Sequence, residues 1–250
     1  VRILTKGALT EVLKKCTKVK YQNKVMDINS DLIYKIKTDV QKLISDGMQV
    51  IALAEKEDYS GVNNFSVKDE CDLIFIGYVA FLDPPKKEVK TVLKKLLSVG
   101  VHTKILTGDN PEATKVICKE AGLNINEVLI GEDVDKLTDK ELAKKVEISD
   151  IFARLTPLQK QRIVDTLKRN GHVVGYMGDG VNDAPSLIQA DVGISVDSAT
   201  DIAKESSDII LLEKSLKVVY DGVLEGRRVY GNIMKYMKMA LSASFGDVFS

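Results

Sequence analysis

The sequence predicts an α/β fold, a Rossmann-like parallel sheet preceded by part of an α+β domain, on two observations. From residue 73 onward, apolar runs of strand length alternate with amphipathic helical stretches, the pattern of a parallel sheet covered on both faces. Before residue 73 the order is different: a strand over 1–5, a helix over 9–16, a polar loop, a helix over 31–45 and a strand over 50–54. A Gly/Asn/Ser-rich stretch over 60–66 reads as a surface loop. The apolar runs of the second part are 73–82, 103–106, 128–130, 151–153, 172–176, 192–195 and 209–212. Between the first two, Val89, Val92, Leu93, Leu96 and Leu97 recur at helical spacing and form one apolar stripe. Pro111 after Asn110 and Pro157 after Thr156 mark capped helix starts with proline in the first turn.

Bulk composition narrows the function class. A chain of 250 residues suits one or two globular domains. Lys plus Arg and Asp plus Glu are equal at 36 each, which gives no electrostatic reason for a nucleic-acid partner. Cys16, Cys71 and Cys118 form no CxxC pair and only two histidines are present, so neither a zinc site nor a disulfide framework is expected, and the expected compartment is reducing cytosol. No run approaches the ~18 apolar residues that span a bilayer. The chain opens on what reads as mid-strand and stops at Ser250 inside a helix, so both ends are expected to lie within a longer protein.

In open parallel sheets, ligands bind at the carboxyl ends of the strands, and three segments follow strands in that way. Thr107-Gly108-Asp109-Asn110 opens a helix, where free backbone N–H groups and a hydroxyl suit a phosphate; a glycine turn with an N-cap is the plainer reading of this segment alone. Gly178-Asp179-Gly180-Val181-Asn182-Asp183-Ala184-Pro185 sets two carboxylates four residues apart between glycines, which suits an oxygen-liganded Mg²⁺. Lys160 lies in the first turns of the helix after the 151–153 strand, where it can neutralise a phosphoryl group or stand as an ordinary surface lysine. Together they suggest phosphoryl chemistry carried by positioning and electrostatics. No aspartate occurs in a DKTGT-like context, so a nucleophile is missing.

These residues resemble three of the four signature elements of the haloacid dehalogenase superfamily. The string from Met177 to Pro185, with Asp83-Pro84-Pro85, Phe152-Ala153-Arg154 and Lys6-Gly7-Ala8, resembles P-type ATPases over essentially the whole chain. Residues 193–216 and 231–250 are similar to the magnesium-transporting class. The resemblance implies a haloacid dehalogenase-like phosphorylation domain over 73–220, the C-terminal part of a nucleotide-binding domain over 1–72, and a stalk over 221–250 leading to a transmembrane helix. It also implies that the first Rossmann-like strand and the phosphorylated aspartate precede Val1, so the sheet is expected to lack a central strand and to be marginally stable. ATP and Mg²⁺ would be the cofactors, a transported cation (magnesium) and the membrane the partners, and the cytoplasmic face of the cell membrane the location. Lys6 would lie beside the adenine, with Asp83 and Arg154 near the ribose and the interdomain hinge. Thr107 and Gly108 would hold the phosphoryl group with Asp109 in support, and Lys160 would neutralise it. Asp179 would ligate Mg²⁺, Asn182 and Asp183 completing the network.

Two departures qualify the resemblance: Gln49 stands where an arginine near the nucleotide is common, and Asp247 stands where magnesium pumps have asparagine. Two other readings are a soluble phosphatase of the same superfamily and a non-catalytic segment that binds nucleotide or Mg²⁺.

Overall fold

The computed structural model describes residues 2–22, 24–57, 70–81, 88–123 and 125–249. The 60–66 loop and Asp83 lie outside them. The chain divides into two units, residues 1–85 with 109–120, and residues 86–108 with 121–250.

The first unit is built on one mixed sheet in the order β1 (Arg2–Gly7), β4 (Gln49–Glu57), β5 (Leu73–Phe81), β2 (Cys16–Tyr21), β3 (Lys24–Asp27). β5 pairs antiparallel with β4 and parallel with β2. This corrects the sequence reading, which groups the 73–82 run with the later parallel strands. Leu73 and Phe75 point inward against Ala52 and Ala54 of β4, and that shared face, with Val12, Leu13 and Val19, is the unit's core. A second correction concerns the polar loop after residue 16, which holds the β2–β3 hairpin. Its signal is weak because β3 is exposed along its length and β2 buries only Cys16 and Val19. The turn is closed by Gln22 in a left-handed conformation, φ 47°, which few non-glycine residues adopt.

Helices α1 (Leu9–Lys14) and α2 (Ser30–Ser45) accompany this sheet, α2 being capped by the Asn29 side chain, which accepts from the Leu32 N–H at 2.8 Å. Helix α4 (Pro111–Glu120) also belongs to this unit. It packs on α2, and Val116 approaches Gly47, where a Cβ would lie 2.7 Å from its Cγ1. Glu55 of β4 is buried with its carboxylate bonded to Arg2 and, at 3.1 Å, to Lys20. The hydrogen bond from Arg2 holds its carboxyl below the usual range.

The second unit carries the strand–helix alternation that the sequence predicts, divided into two parallel sheets of three strands. One runs β6 (Ile105–Leu106), β8 (Ile151–Ala153), β7 (Val128–Ile130); the other runs β11 (Ile209–Leu211), β10 (Val192–Val196), β9 (Gly175–Met177). The ladders end at β6 and β9, which are edge strands of their sheets. The packing does not end there, because Leu106 and Val174 touch the apolar clusters under both sheets.

Helices α3 (Val89–Ser98), α5 (Gly131–Lys136), α6 (Asp139–Ile148), α7 (Pro157–Arg169), α8 (Ala184–Gln189) and α9 (Asp201–Glu205) connect these strands. The predicted start of α7 is present: Thr156 and Gln159 form a reciprocal capping box around Pro157. The final helix, α10 (Leu216–Phe249), is continuous for 34 residues, so the expected 220/221 boundary falls inside it. Its first turns dock on α3, with the Lys95 ammonium 5.7 Å from the Tyr220 ring and Arg227 donating to the Val99 carbonyl at 2.5 Å. No described helix is long and apolar enough to cross a membrane.

Burial separates the three cysteines. Cys16 and Cys118 are buried, and burial pushes each thiol up to about 11, whereas Cys71 is exposed. A disulfide-exchange reagent at pH 8 should therefore titrate Cys71 rapidly on the native chain. Cys16 and Cys118 should react at comparable rates only after unfolding in guanidinium; fast reaction of all three at the outset would contradict this packing.

Candidate functional site

The carboxyl end of β9 passes into Gly178-Asp179-Gly180, and neighbouring strands fix this loop through its backbone. The Gly178 N–H donates to the Ile194 carbonyl at 3.1 Å, the Ser195 hydroxyl donates to the Gly178 carbonyl at 3.0 Å, and the Thr200 N–H donates to the Asp179 carbonyl at 3.1 Å. A 3-10 turn, Val181–Asp183, then brings Asp183 back beneath Gly178. The glycine is required there, since a Cβ on residue 178 would lie 2.5 Å from the Asp183 Cβ.

Asp183 accepts three hydrogen bonds within the site. Its Oδ1 accepts from Lys160 Nζ at 2.8 Å and from the Tyr176 hydroxyl at 2.9 Å, and its Oδ2 accepts from the Gly180 N–H at 3.3 Å. The Lys160 and Asp183 side chains are 11% and 14% exposed. Burial alone would raise the carboxyl's pKa, but the hydrogen bonds from Lys160 and Tyr176 and the lysine's charge hold it below the usual carboxylate range. Tyr176 moves the other way, its phenol raised by burial and by the adjacent carboxylate.

Thr107 is positioned by β8. Its N–H donates to the Phe152 carbonyl at 2.9 Å and its carbonyl accepts from the Leu155 N–H at 3.0 Å. Thr107, Lys160, Asp179 and Asp183 all line one cavity of about 500 Å³, whose wall also includes Tyr176, Gly178 and Lys214. Lys214 Nζ lies 2.8 Å from Asp179 Oδ2.

The other sequence-predicted residues lie elsewhere. Gly108 and Asn182 are exposed and do not line the cavity, although each adjoins a residue that does or lies within the turn that shapes it. Asp109 is exposed and belongs with α4 to the first unit. Lys6 stands exposed on β1, opposite Leu53 of β4, and does not line the first unit's cavity of about 460 Å³. Arg154 directly follows β8 with φ 51°, a left-handed conformation that costs a non-glycine residue energy. Its carbonyl lies where a Cβ on Gly131 would approach to 2.5 Å.

Sequence reasoning named neither Tyr176 nor Lys214 as a site residue. Both were within reach of the rule used for the others. Lys214 follows the carboxyl end of β11, and Tyr176 is the polar-tipped residue within an otherwise apolar run before the glycine-aspartate string.

The donor set suits a hard divalent cation: carboxylate and hydroxyl oxygens from Asp179 and Thr107, with neither thiolate nor imidazole on the wall. Among the described residues no three His, Cys, Asp or Glu side chains gather as a metal cage. Mg²⁺ is commonly held by one or two carboxylates and completes its shell with water and phosphate oxygens.

Removing one partner of a pair this buried leaves an uncompensated charge. Asp183→Ala should lower stability to urea by about 3 kcal/mol. Because the folded carboxyl titrates below its unfolded value, its contribution is present above the ordinary carboxylate pKa and disappears as pH falls through the folded one. The stability gap between the native chain and Asp183→Asn should therefore narrow below about pH 4; a gap independent of pH would contradict the ion pair.

Residues 1–88 match the family model described as P-type ATPase, cytoplasmic domain N. The whole chain is 49% identical over 249 residues to the magnesium-transporting ATPase, P-type 1, of Escherichia coli, and 47% identical over 249 residues to the protein of that name in Salmonella typhimurium. It is 36% identical over 248 residues, 98% of its length, to the calcium-transporting ATPase 1 of Bacillus cereus. In each case it spans 28% of the relative's length. Over its whole length the chain is thus similar to P-type cation-transporting ATPases, with residues 1–88 matching their cytoplasmic domain N.

Proposed function

We propose that the second unit is the phosphorylation domain, of haloacid dehalogenase type, of a pump that couples ATP hydrolysis to cation transport, magnesium being the ion favoured by its relatives. The reading rests on one observation above others: Thr107, Lys160 and Asp179, far apart in sequence, line a single cavity at strand carboxyl ends. Thr107 supplies a hydroxyl and a strand-fixed backbone for a phosphoryl group, with Gly108 allowing close approach. Lys160, held by Asp183, presents fixed positive charge to it, and Asp179 is the ligand for Mg²⁺. Bound there, Mg²⁺ supplies charge neutralisation for the phosphoryl oxygens. Asp183 serves as anchor to this set, since protein donors already occupy both of its oxygens. Asn182 acts from the margin of the site.

In the same reading the first unit, together with Asp83 outside the described residues, takes the nucleotide. In this reading Lys6 is assigned to the adenine and Arg154 to the ribose. The acceptor of the γ-phosphoryl group is an aspartate carried by a part of the pump outside these 250 residues, on a strand that fits between the β6 and β9 edges. α10 then forms the stalk toward the membrane, placing both units at its cytoplasmic face.

Two measurements test this. The 250-residue chain should hydrolyse ATP at a negligible rate, and robust hydrolysis abolished by Asp179→Ala would refute the assignment of the nucleophile to another part of the pump. The full-length protein, given γ-labelled ATP and Mg²⁺, should form an acid-stable phosphoenzyme. Lys160→Ala or Asp179→Ala should reduce its level by about 100-fold, within the range for losing one preorganised charge-stabilising group; undiminished labelling in both variants would overturn the site.

A further inference from the structure

The cavity of the second unit holds two lysine–aspartate pairs of equal length and opposite character. Lys160 and Asp183 meet at 2.8 Å with side chains 11% and 14% exposed; Lys214 and Asp179 meet at 2.8 Å with side chains 65% and 56% exposed. Water and salt reach the second pair freely, so it contributes little and exchanges readily. The first is shielded and further held by Tyr176 and the Gly180 N–H.

The position of Asp179 does not depend on its lysine. Hydrogen bonds to Gly178 from β10 and to the Asp179 carbonyl from Thr200 fix the backbone on both sides of its Cα. Lys214 comes from the short segment between β11 and α10, where Ser215 caps the approach to the helix by accepting from the Lys217 N–H at 3.2 Å. A lysine ammonium is a compact charge on a flexible stem, able to occupy a carboxylate and withdraw from it.

We propose that Lys214 is a built-in counter-ion for Asp179 that competes with the divalent cation and so lowers the site's affinity for it. The inference rests on the reading of Asp179 as the Mg²⁺ ligand. Binding of the ion requires the ammonium to leave Asp179 Oδ2, and the displaced charge remains close to the incoming dication. Both effects weaken binding, and both disappear with the ammonium. In the absence of the ion, the lysine neutralises a carboxylate that shares the cavity with Asp183.

The test is a titration of the 250-residue chain with MgCl₂ at constant ionic strength, followed by the amide resonances of Gly178 and Gly180. Lys214→Met keeps the length of the stem and removes the charge; it should tighten the apparent Kd about two- to fivefold, the span expected for releasing an exposed ion pair. Lys214→Arg retains the charge and should bind no more tightly than the native chain. Lys217→Met, which removes a lysine paired instead with Asp221, should leave the Kd unchanged. Asp179→Asn should abolish the titration in every background.

If Asp179-dependent binding is present but Lys214→Met leaves it unchanged or weaker, or Lys217→Met tightens it equally, the counter-ion role is wrong while the metal site stands. If no background shows Asp179-dependent shifts, both fall.

Discussion

The Asp183 carboxylate is the point on which the site's geometry depends. It receives hydrogen bonds from three directions: Lys160 from α7, Tyr176 from β9 and the Gly180 amide from the loop that bears Asp179. Each donor belongs to a different part of the unit, so one buried charge ties a helix, a strand and a loop to a common centre. A buried ion pair is seldom a net source of stability, because desolvation offsets much of the attraction. Its value lies in specificity: an ammonium at Lys160 without its carboxylate would seek solvent, and the loop would lose its floor. The absence of a side chain at Gly178 is part of the same arrangement, because a Cβ there would lie 2.5 Å from the Asp183 Cβ.

Two lysines with similar chemistry acquire different tasks through burial alone. At ~3 Å, opposite charges in a dry interior attract several times more strongly than at a wet surface. Lys160 is thus a fixed feature of the cavity, whereas Lys214 can be displaced at small cost. In the proposed reading such a division is useful, because a phosphoryl-transfer centre needs some charge preorganised and some that gives way as ions and anions arrive.

Much of this was legible in the sequence because it follows from local rules. Strand-length apolar runs located β6 to β11, the Thr156–Pro157 signal located the start of α7, and the carboxyl-end rule selected Thr107, Lys160 and Asp179. What was not legible depended on partners. The 73–81 segment is as apolar as any central parallel strand, and nothing in its composition reveals that its neighbours are β4 and β2. The β2–β3 hairpin leaves most of its side chains exposed, Tyr21, Val25 and Met26 among them, and pairs along the sheet edge that β5 offers. Helix α4 has the spacing of any helix in a strand–helix alternation, and its packing on α2, with Val116 close to Gly47, ties it to the first unit. Lys214 was visible but ambiguous, since a lysine between a strand and a long basic helix reads equally well as a surface charge.

The two edges β6 and β9 explain why a site can be shaped by strands that do not pair. A parallel edge strand presents unsatisfied N–H and C=O groups along its open side, which proteins ordinarily cover or pair. Here the apolar cores run on beneath both edges through Leu106 and Val174, while the hydrogen-bonded ladders stop. Side-chain packing is non-directional and tolerates an interruption of the sheet; ladder bonding is directional and does not. Thr107 and Gly178 leave these two strands at the same end, and both line the cavity. In the reading proposed for the intact pump, a strand paired to both edges would carry its own terminal residue to that cavity, between the hydroxyl of Thr107 and the carboxylate of Asp179. The same pairing that completes the sheet would then complete the chemistry.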